Sequence, residues 1–221
     1  MLFFSDNSKN KDMFESLQIT PTHSIYTGSV MYDRSEEMHR YLQQLNLNLT
    51  HLQQIKNKKR RAEWMFIREV MSKNMPKGED IIYDEHRKPF FKNSTHYLSI
   101  SHSNEKIAIS VNEKHETGVD LQYITDKIIR IKSKFLNEFE LERVSDDPLQ
   151  LTCHWCIKEA LFKIYGKKDA FLKENFEVKD FTFEDNFGTA TGITKVGNHF
   201  TEQKMELRKL DNYMMAYSVN Y

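Results

Sequence analysis

The chain has 221 residues, and 32 Lys and Arg balance 32 Asp and Glu for a formal net charge of zero. That length fits one large domain or two small ones with a real core, and the balance argues against a generally basic nucleic-acid binder or an acidic disordered tail. No apolar run approaches the ~20 residues of a membrane span, Met1–Asp6 lacks the regions of a signal peptide, and two cysteines make no disulfide framework, so a cytoplasmic protein is expected.

Residues 23–31 read as an opening β-strand. Residues 34–46 read as a helix, with Asp33 as N-cap and Glu36 three residues on, a capping-box pattern. A longer helical stretch over 50–74 carries the basic run Lys56 to Arg61 and stops before Pro76-Lys77-Gly78. Residues 96–101 and 106–112 form two short strands around a polar turn, and 117–123 form another, entered through Gly118. Helices are predicted over 125–134, 137–145 and 148–166, the last with Pro148 in its first turn. The tail alternates strand and turn: 176–184, a turn at Asn186-Phe187-Gly188, then 189–195, 199–209 and 212–220. The order is α+β, with two halves meeting near residue 114.

The strongest local signal is Trp155-Cys156-Ile157-Lys158-Glu159-Ala160-Leu161-Phe162-Lys163. On a helix, Glu159 and Lys163 lie one turn apart with apolar residues on both sides, a surrounding expected to be buried. A carboxylate there needs a partner, a metal or a functional reason. A solvated Glu–Lys pair worth ~0.2–0.5 kcal/mol is an equal reading of the same residues. Strand alternation puts Asp120 and Gln122 on one face, where oxygen ligands suit a hard cation or simply a sheet edge. Ser99-Ile100-Ser101-His102-Ser103-Asn104 offers converging donors for a phosphate, or an ordinary hairpin. Lys88 sits before Pro89 on an extended segment, and Arg61 and Arg68 share a helix face; each is a solvated cation or an anion ligand. Cys153 and Cys156 fall on the apolar arc and read as buried thiols, since half a zinc site is missing.

In chain order, Lys88-Pro89, Leu98-Ser99-Ile100-Ser101-His102-Ser103, Gly118-Val119-Asp120 and Trp155-Cys156-Ile157-Lys158-Glu159-Ala160-x-x-Lys163 resemble the motifs of the 4′-phosphopantetheinyl transferases of the surfactin-synthetase-activating (Sfp-like) type. The resemblance spans roughly residues 60–165. It implies a pseudo-dimeric α+β fold of two similar halves, each a small antiparallel sheet with packed helices. The first half, 1–114, would carry coenzyme A-binding elements, and the second, 115–221, the metal-binding and catalytic acids.

The implied reaction moves the 4′-phosphopantetheine arm of coenzyme A, the co-substrate, to a serine of an apo acyl, peptidyl or aryl carrier protein and releases 3′,5′-ADP. By the match, Asp120 and Glu159 hold Mg²⁺, with Gln122 where many members carry a second acid. Glu159 is also the candidate base. Lys163 neutralises the pyrophosphate or protonates the leaving phosphate. Ser101 and His102 hold coenzyme A phosphates, Lys88 assists, and Arg61 is a candidate for the nucleotide phosphates. Carrier proteins are typically acidic, so Lys56 to Arg61 and Arg130-Lys132-Lys134 are candidate docking cations. The resemblance implies a monomer with no nucleic-acid or membrane partner. The alternative is a non-catalytic coenzyme A- or carrier-binding module of the same fold.

Overall fold

The structure, a computed structural model, describes residues 14–45, 47–76 and 79–219. Met1–Asp6, Lys77-Gly78 and the last residues of the predicted elements 34–46 and 212–220 lie outside them.

The architecture is α+β, built on two antiparallel sheets, each backed by a long helix. The first sheet has the order β1-β2-β6-β5, from β1 (Phe14–Thr20), β2 (His23–Ser29), β5 (Tyr97–Ser103) and β6 (Lys106–Asn112). Between β2 and β5 the chain forms α1 (Ser35–Gln44), α2 (Thr50–Gln54), α3 (Lys58–Asn74) and a hairpin of β3 (Ile81–Tyr83) and β4 (Pro89–Phe91). The second sheet runs β7-β11-β10-β9-β8. It comprises β7 (Val119–Tyr123), β8 (Phe176–Glu184), β9 (Phe187–Val196), β10 (His199–Leu210) and β11 (Tyr213–Val219). After β7 come a 3-10 segment, Asp126–Lys134, then α4 (Glu138–Arg143), α5 (Pro148–Tyr165) and α6 (Leu172–Asn175).

The strands and helices predicted from hydrophobic pattern recur, with informative differences. The capping box at Asp33 does not form: Asp33 lies in a 3-10 turn, Tyr32–Arg34, and α1 starts at Ser35 with no side-chain cap. The stretch 50–74 breaks into α2 and α3 because the Asn57 side chain accepts the Arg60 N–H and starts a new helix there. Strand β1 and the β3–β4 hairpin were not expected; both are short or half-exposed and show little period-2 contrast. The β8–β9 turn falls at Asp185-Asn186, both with positive φ, so Phe187 already belongs to β9.

Burial explains the layers. Phe66 and Val70 of α3 and Met38 and Leu42 of α1 pack on Leu98, Ile107 and Ile109 of the first sheet. Cys153, Cys156, Ile157, Ala160 and Leu161 of α5 pack on Met205, Leu207, Met214 and Ala216 of the second. Both cysteines are free, buried thiols. A third cluster joins Ile25 and Ala108 to Val119, Leu121, Met215 and Tyr217, and so closes the gap between the sheets.

The edges of the sheets meet without a backbone ladder. The Val119, Leu121 and Tyr123 N–H groups of β7 donate to the side-chain oxygens of Ser99, Ser101 and Ser103 of β5, at 3.1, 3.0 and 3.0 Å. The pairs advance together, so the strands run parallel with serine hydroxyls standing between them. Below this seam, His23, Ser110, Thr117 and Ser218 form a buried polar cluster, with the His23 Nε2–Ser110 Oγ pair at 2.8 Å and Ser110 Oγ–Thr117 Oγ1 at 2.6 Å.

Helix α5 is pinned at both ends. Asp147 caps its start by accepting the Gln150 N–H, and Gly166, at φ 74°, ends it in the left-handed conformation. Midway, Lys158 is fully buried; its ammonium reaches Glu140 Oε2 (2.5 Å) and Phe135 O (2.7 Å). Glu140 also accepts the Val178 N–H (3.0 Å) and completes the capping box of α4. Strand β7 lies against α5 so closely that a Cβ on Gly118 would come 2.2 Å from Ala160 O and 2.7 Å from Ile164 Cγ1. Gly118→Ala must therefore displace helix backbone, at the upper end of the roughly 1–3 kcal/mol overpacking range or above it. A melting temperature lowered by roughly 2–4 °C per kcal/mol is expected in calorimetry; an unchanged value would contradict this contact.

Candidate active site

Three elements converge at the seam. β5 supplies Ser101 and His102, β7 supplies Asp120 and Gln122, and α5 supplies Trp155, Glu159 and Lys163; together they line a cavity of about 280 Å³. Acids 39 positions apart in the chain thus share one hollow, because Gly118 lets β7 sit on the helix that carries Glu159.

Asp120 is buried. Its Oδ1 accepts from Ser101 Oγ (2.8 Å) and Lys163 Nζ (2.8 Å), while Oδ2 is buried with no hydrogen-bond partner. Lys163 also donates to Val119 O (2.9 Å), which leaves one of its ammonium protons uncommitted by these bonds. Glu159 is partly buried, and burial first, then the nearby Asp120, push its carboxyl up to about 7 against the opposing effect of Lys163. Burial, then Asp120, also hold the Cys156 thiol well above its ordinary range, so it stays a neutral packing group. Trp155, expected to be buried, instead lines the cavity partly exposed and packs edge-on to Phe135 with ring centroids 5.2 Å apart.

Two carboxylates with one cation between them form a site short of positive charge. Asp120 and Glu159 are the two anionic donors a divalent ion would meet here. Among the described residues no group of three or more His, Cys, Asp or Glu side chains could enclose a metal. An acid pair without a cage fits an ion that keeps waters and shares substrate phosphates, as Mg²⁺ does. Gln122 lies beside Asp120 on the cavity wall, with its amide nitrogen 3.4 Å from Tyr123 O.

His102 stands at the cavity mouth, 55% exposed, with Nδ1 3.7 Å from Glu63 Oε1. Glu63 is buried in α3 and lies 3.9 Å from Lys59 Nζ. Lys59 in turn lines a larger cleft of about 720 Å³ with Lys58, Arg61, Asp33 and Glu36. Glu63 thus lies within ion-pair reach of a residue of each hollow, His102 and Lys59. Nothing in the sequence marked it, since it reads as one acid in a basic helix.

Two cations lie apart from the small cavity. Lys88 Nζ binds Glu116 Oε2 (2.6 Å) and Ile164 O (3.0 Å), which makes it a cap on the C-terminus of α5. Arg61 lines the larger cleft and donates to Leu52 O (2.8 Å). Arg68 is no surface cation on the face of Arg61: it is buried, stacks 3.5 Å from the Trp64 ring centroid and bonds Ile81 O (2.7 Å) and Asp80 (3.2 Å).

Residues 116–218 match the sequence model of the 4′-phosphopantetheinyl transferase superfamily. Over 121 residues the chain is 26% identical to the 4′-phosphopantetheinyl transferase AcpT of Escherichia coli O157:H7, an alignment covering 52% of this chain and 58% of that protein. The matched family segment contains Asp120, Gln122, Glu159 and Lys163; Arg61, Lys88, Ser101 and His102 precede it. The α+β architecture, with small antiparallel sheets and packed helices, is consistent with a fold of that superfamily.

The titration of Glu159 has a definite sign. A carboxyl raised from 4.5 to about 7 by folding stabilises the fold fully below its unfolded value and loses that contribution as pH climbs through about 7. In metal-free protein, Glu159→Gln should melt higher than the parent at pH 8, and the difference should vanish near pH 4.5. Thermal melts in EDTA measure this, and equal curves at pH 8 would place Glu159 in a solvated setting instead.

Proposed function

We propose that the protein is a 4′-phosphopantetheinyl transferase of the holo-carrier-protein synthase type. It would move the 4′-phosphopantetheine group from coenzyme A to a serine of an apo acyl, peptidyl or aryl carrier protein and release 3′,5′-ADP. The observation that carries this reading is the meeting of Asp120, Glu159 and Lys163 in one cavity, within the segment similar to the superfamily.

Phosphoryl transfer depends mostly on position and charge. Asp120 and Glu159 would hold Mg²⁺, with Gln122 at their side; the ion, when bound, supplies positive charge to the pyrophosphate oxygens. Glu159, directly or through water, would take the proton of the incoming serine, a general-base role open to a positioned carboxylate. The serine oxygen forms the new bond to phosphorus, and the bond to the bridging pyrophosphate oxygen breaks. Lys163, held on Asp120 and Val119 O, would present its remaining proton to the phosphate. His102 at the mouth suits a coenzyme A phosphate. Arg61, with Lys58 and Lys59 in the adjoining cleft, suits the nucleotide phosphates. Lys88 would act by fixing the end of α5 rather than by touching the nucleotide.

In this reading the half 1–114 supplies nucleotide-binding elements and 115–221 the acids. Each main sheet draws its strands from one side of residue 114. A monomer is part of this reading. Among the described residues no helix is long and apolar enough to cross a membrane, which is compatible with a cytoplasmic site of action.

Intact-mass spectrometry of an apo carrier protein incubated with this protein, coenzyme A and Mg²⁺ tests the reading. A gain of one phosphopantetheine arm, abolished by EDTA, is the expected result. Coenzyme A binding without a mass gain on any carrier class would point instead to a non-catalytic module. In the same assay Glu159→Gln should lower turnover by at least roughly 10²-fold, the lower end of a general-base contribution, with coenzyme A binding largely kept. Near-normal turnover would remove Glu159 from the chemistry.

A further inference from the structure

The hydroxyl proton of Ser101, at the cavity wall, is already committed. The hydroxyl donates it to Asp120 Oδ1 (2.8 Å) and accepts the Leu121 N–H (3.0 Å). A serine hydroxyl has one proton to give, so while it holds Asp120 it cannot donate to a phosphate. Ser99 and Ser103 accept from the same strand at the same spacing, but neither bonds a carboxylate among the described residues. Ser101 is thus the member of the seam that reaches into the site.

The consequence falls on Asp120. Two donors, Ser101 and Lys163, converge on Oδ1, and Oδ2 is left buried without a hydrogen bond. A carboxylate gripped by one oxygen cannot swing about its terminal bond. Without Ser101, one of the two donors that hold Oδ1 is lost and Lys163 is left to orient the carboxylate. We propose that Ser101 is a positioning residue for Asp120, holding its carboxylate in place for a divalent cation, and is not a ligand of the coenzyme A phosphates. This rests on reading Asp120 as a cation ligand.

The test compares the parent protein with Ser101→Ala, Ser99→Ala and Asp120→Asn. Mn²⁺ uptake is followed by the loss of the free-ion paramagnetic resonance signal with coenzyme A present, corrected for Mn²⁺ held by coenzyme A alone. Coenzyme A affinity is measured separately by calorimetry without metal. Ser101→Ala should weaken Mn²⁺ binding roughly 10–100-fold, as loss of an outer-shell partner does, and leave metal-free coenzyme A affinity unchanged. Ser99→Ala removes a comparable seam bond and should bind Mn²⁺ as the parent does. If the alanine at 101 fails to fold, Ser101→Cys keeps the volume with a weaker donor and should show the same direction.

Weaker coenzyme A binding with unchanged Mn²⁺ affinity in Ser101→Ala would overturn the proposal and make Ser101 a phosphate ligand. Equal losses of Mn²⁺ in Ser99→Ala and Ser101→Ala would reduce it to a general effect of the seam. If Asp120→Asn binds Mn²⁺ as well as the parent, the cation reading of Asp120 fails first and takes the proposal with it.

Discussion

Serine hydroxyls joining β5 to β7 are the contact on which the site depends. A normal parallel ladder would bring carbonyls to the β7 N–H groups and set the strands about 4.8 Å apart. A side chain between them holds the strands farther apart, yet satisfies donors that would otherwise be buried and unpaired, at about 1–3 kcal/mol each. That wider gap is roofed by α5, whose Glu159 and Lys163 share the cavity with Asp120 of β7. The site is thus a consequence of two sheets that meet without merging.

Charge explains why this arrangement is poised rather than merely stable. Asp120 and Glu159 share the cavity, and Lys163 is the cation bound to Asp120 within it. Burial first, then the like charge of Asp120, disfavour the ionised form of Glu159, whose carboxyl is pushed up to about 7. The fold supports this tension from outside through pairs that are fully matched. Lys158 with Glu140 ties α5 to α4 and β8, and Lys88 with Glu116 closes the end of the helix.

Much of this was legible in the sequence where a residue's role is set by its neighbours in the chain. The period of residues 148–166 fixed α5, and alternation over 117–123 put Asp120 and Gln122 on one face. The family resemblance ordered the residues of the cavity. Roles set by distant partners were not legible. Arg68 looks like a surface cation until Asp80 and Trp64 are seen around it. Lys88 precedes a proline on an extended segment, and only the fold brings α5 to it. Ser101 sits beside a histidine and reads as a phosphate ligand; its bonds to Asp120 and the Leu121 N–H come from a strand that no local pattern places beside it. Strand β1 pairs only with β2 and shows a weak pattern, as edge strands often do.

The pairing of β7 also bears on how the chain comes together during synthesis. One edge of β7 bonds β11, the last strand of the fold, through pairs such as Asp120 with Ala216. The other edge bonds serines made shortly before it. As the chain leaves the ribosome, β7 can therefore dock on the finished first sheet long before its partner strand exists. Closing the β7–β11 contact requires a long loop, the kind of pairing that slows folding. The serine seam offers β7 a waiting place, so that Asp120 is registered against Ser101 before α5 and the last strands settle over it.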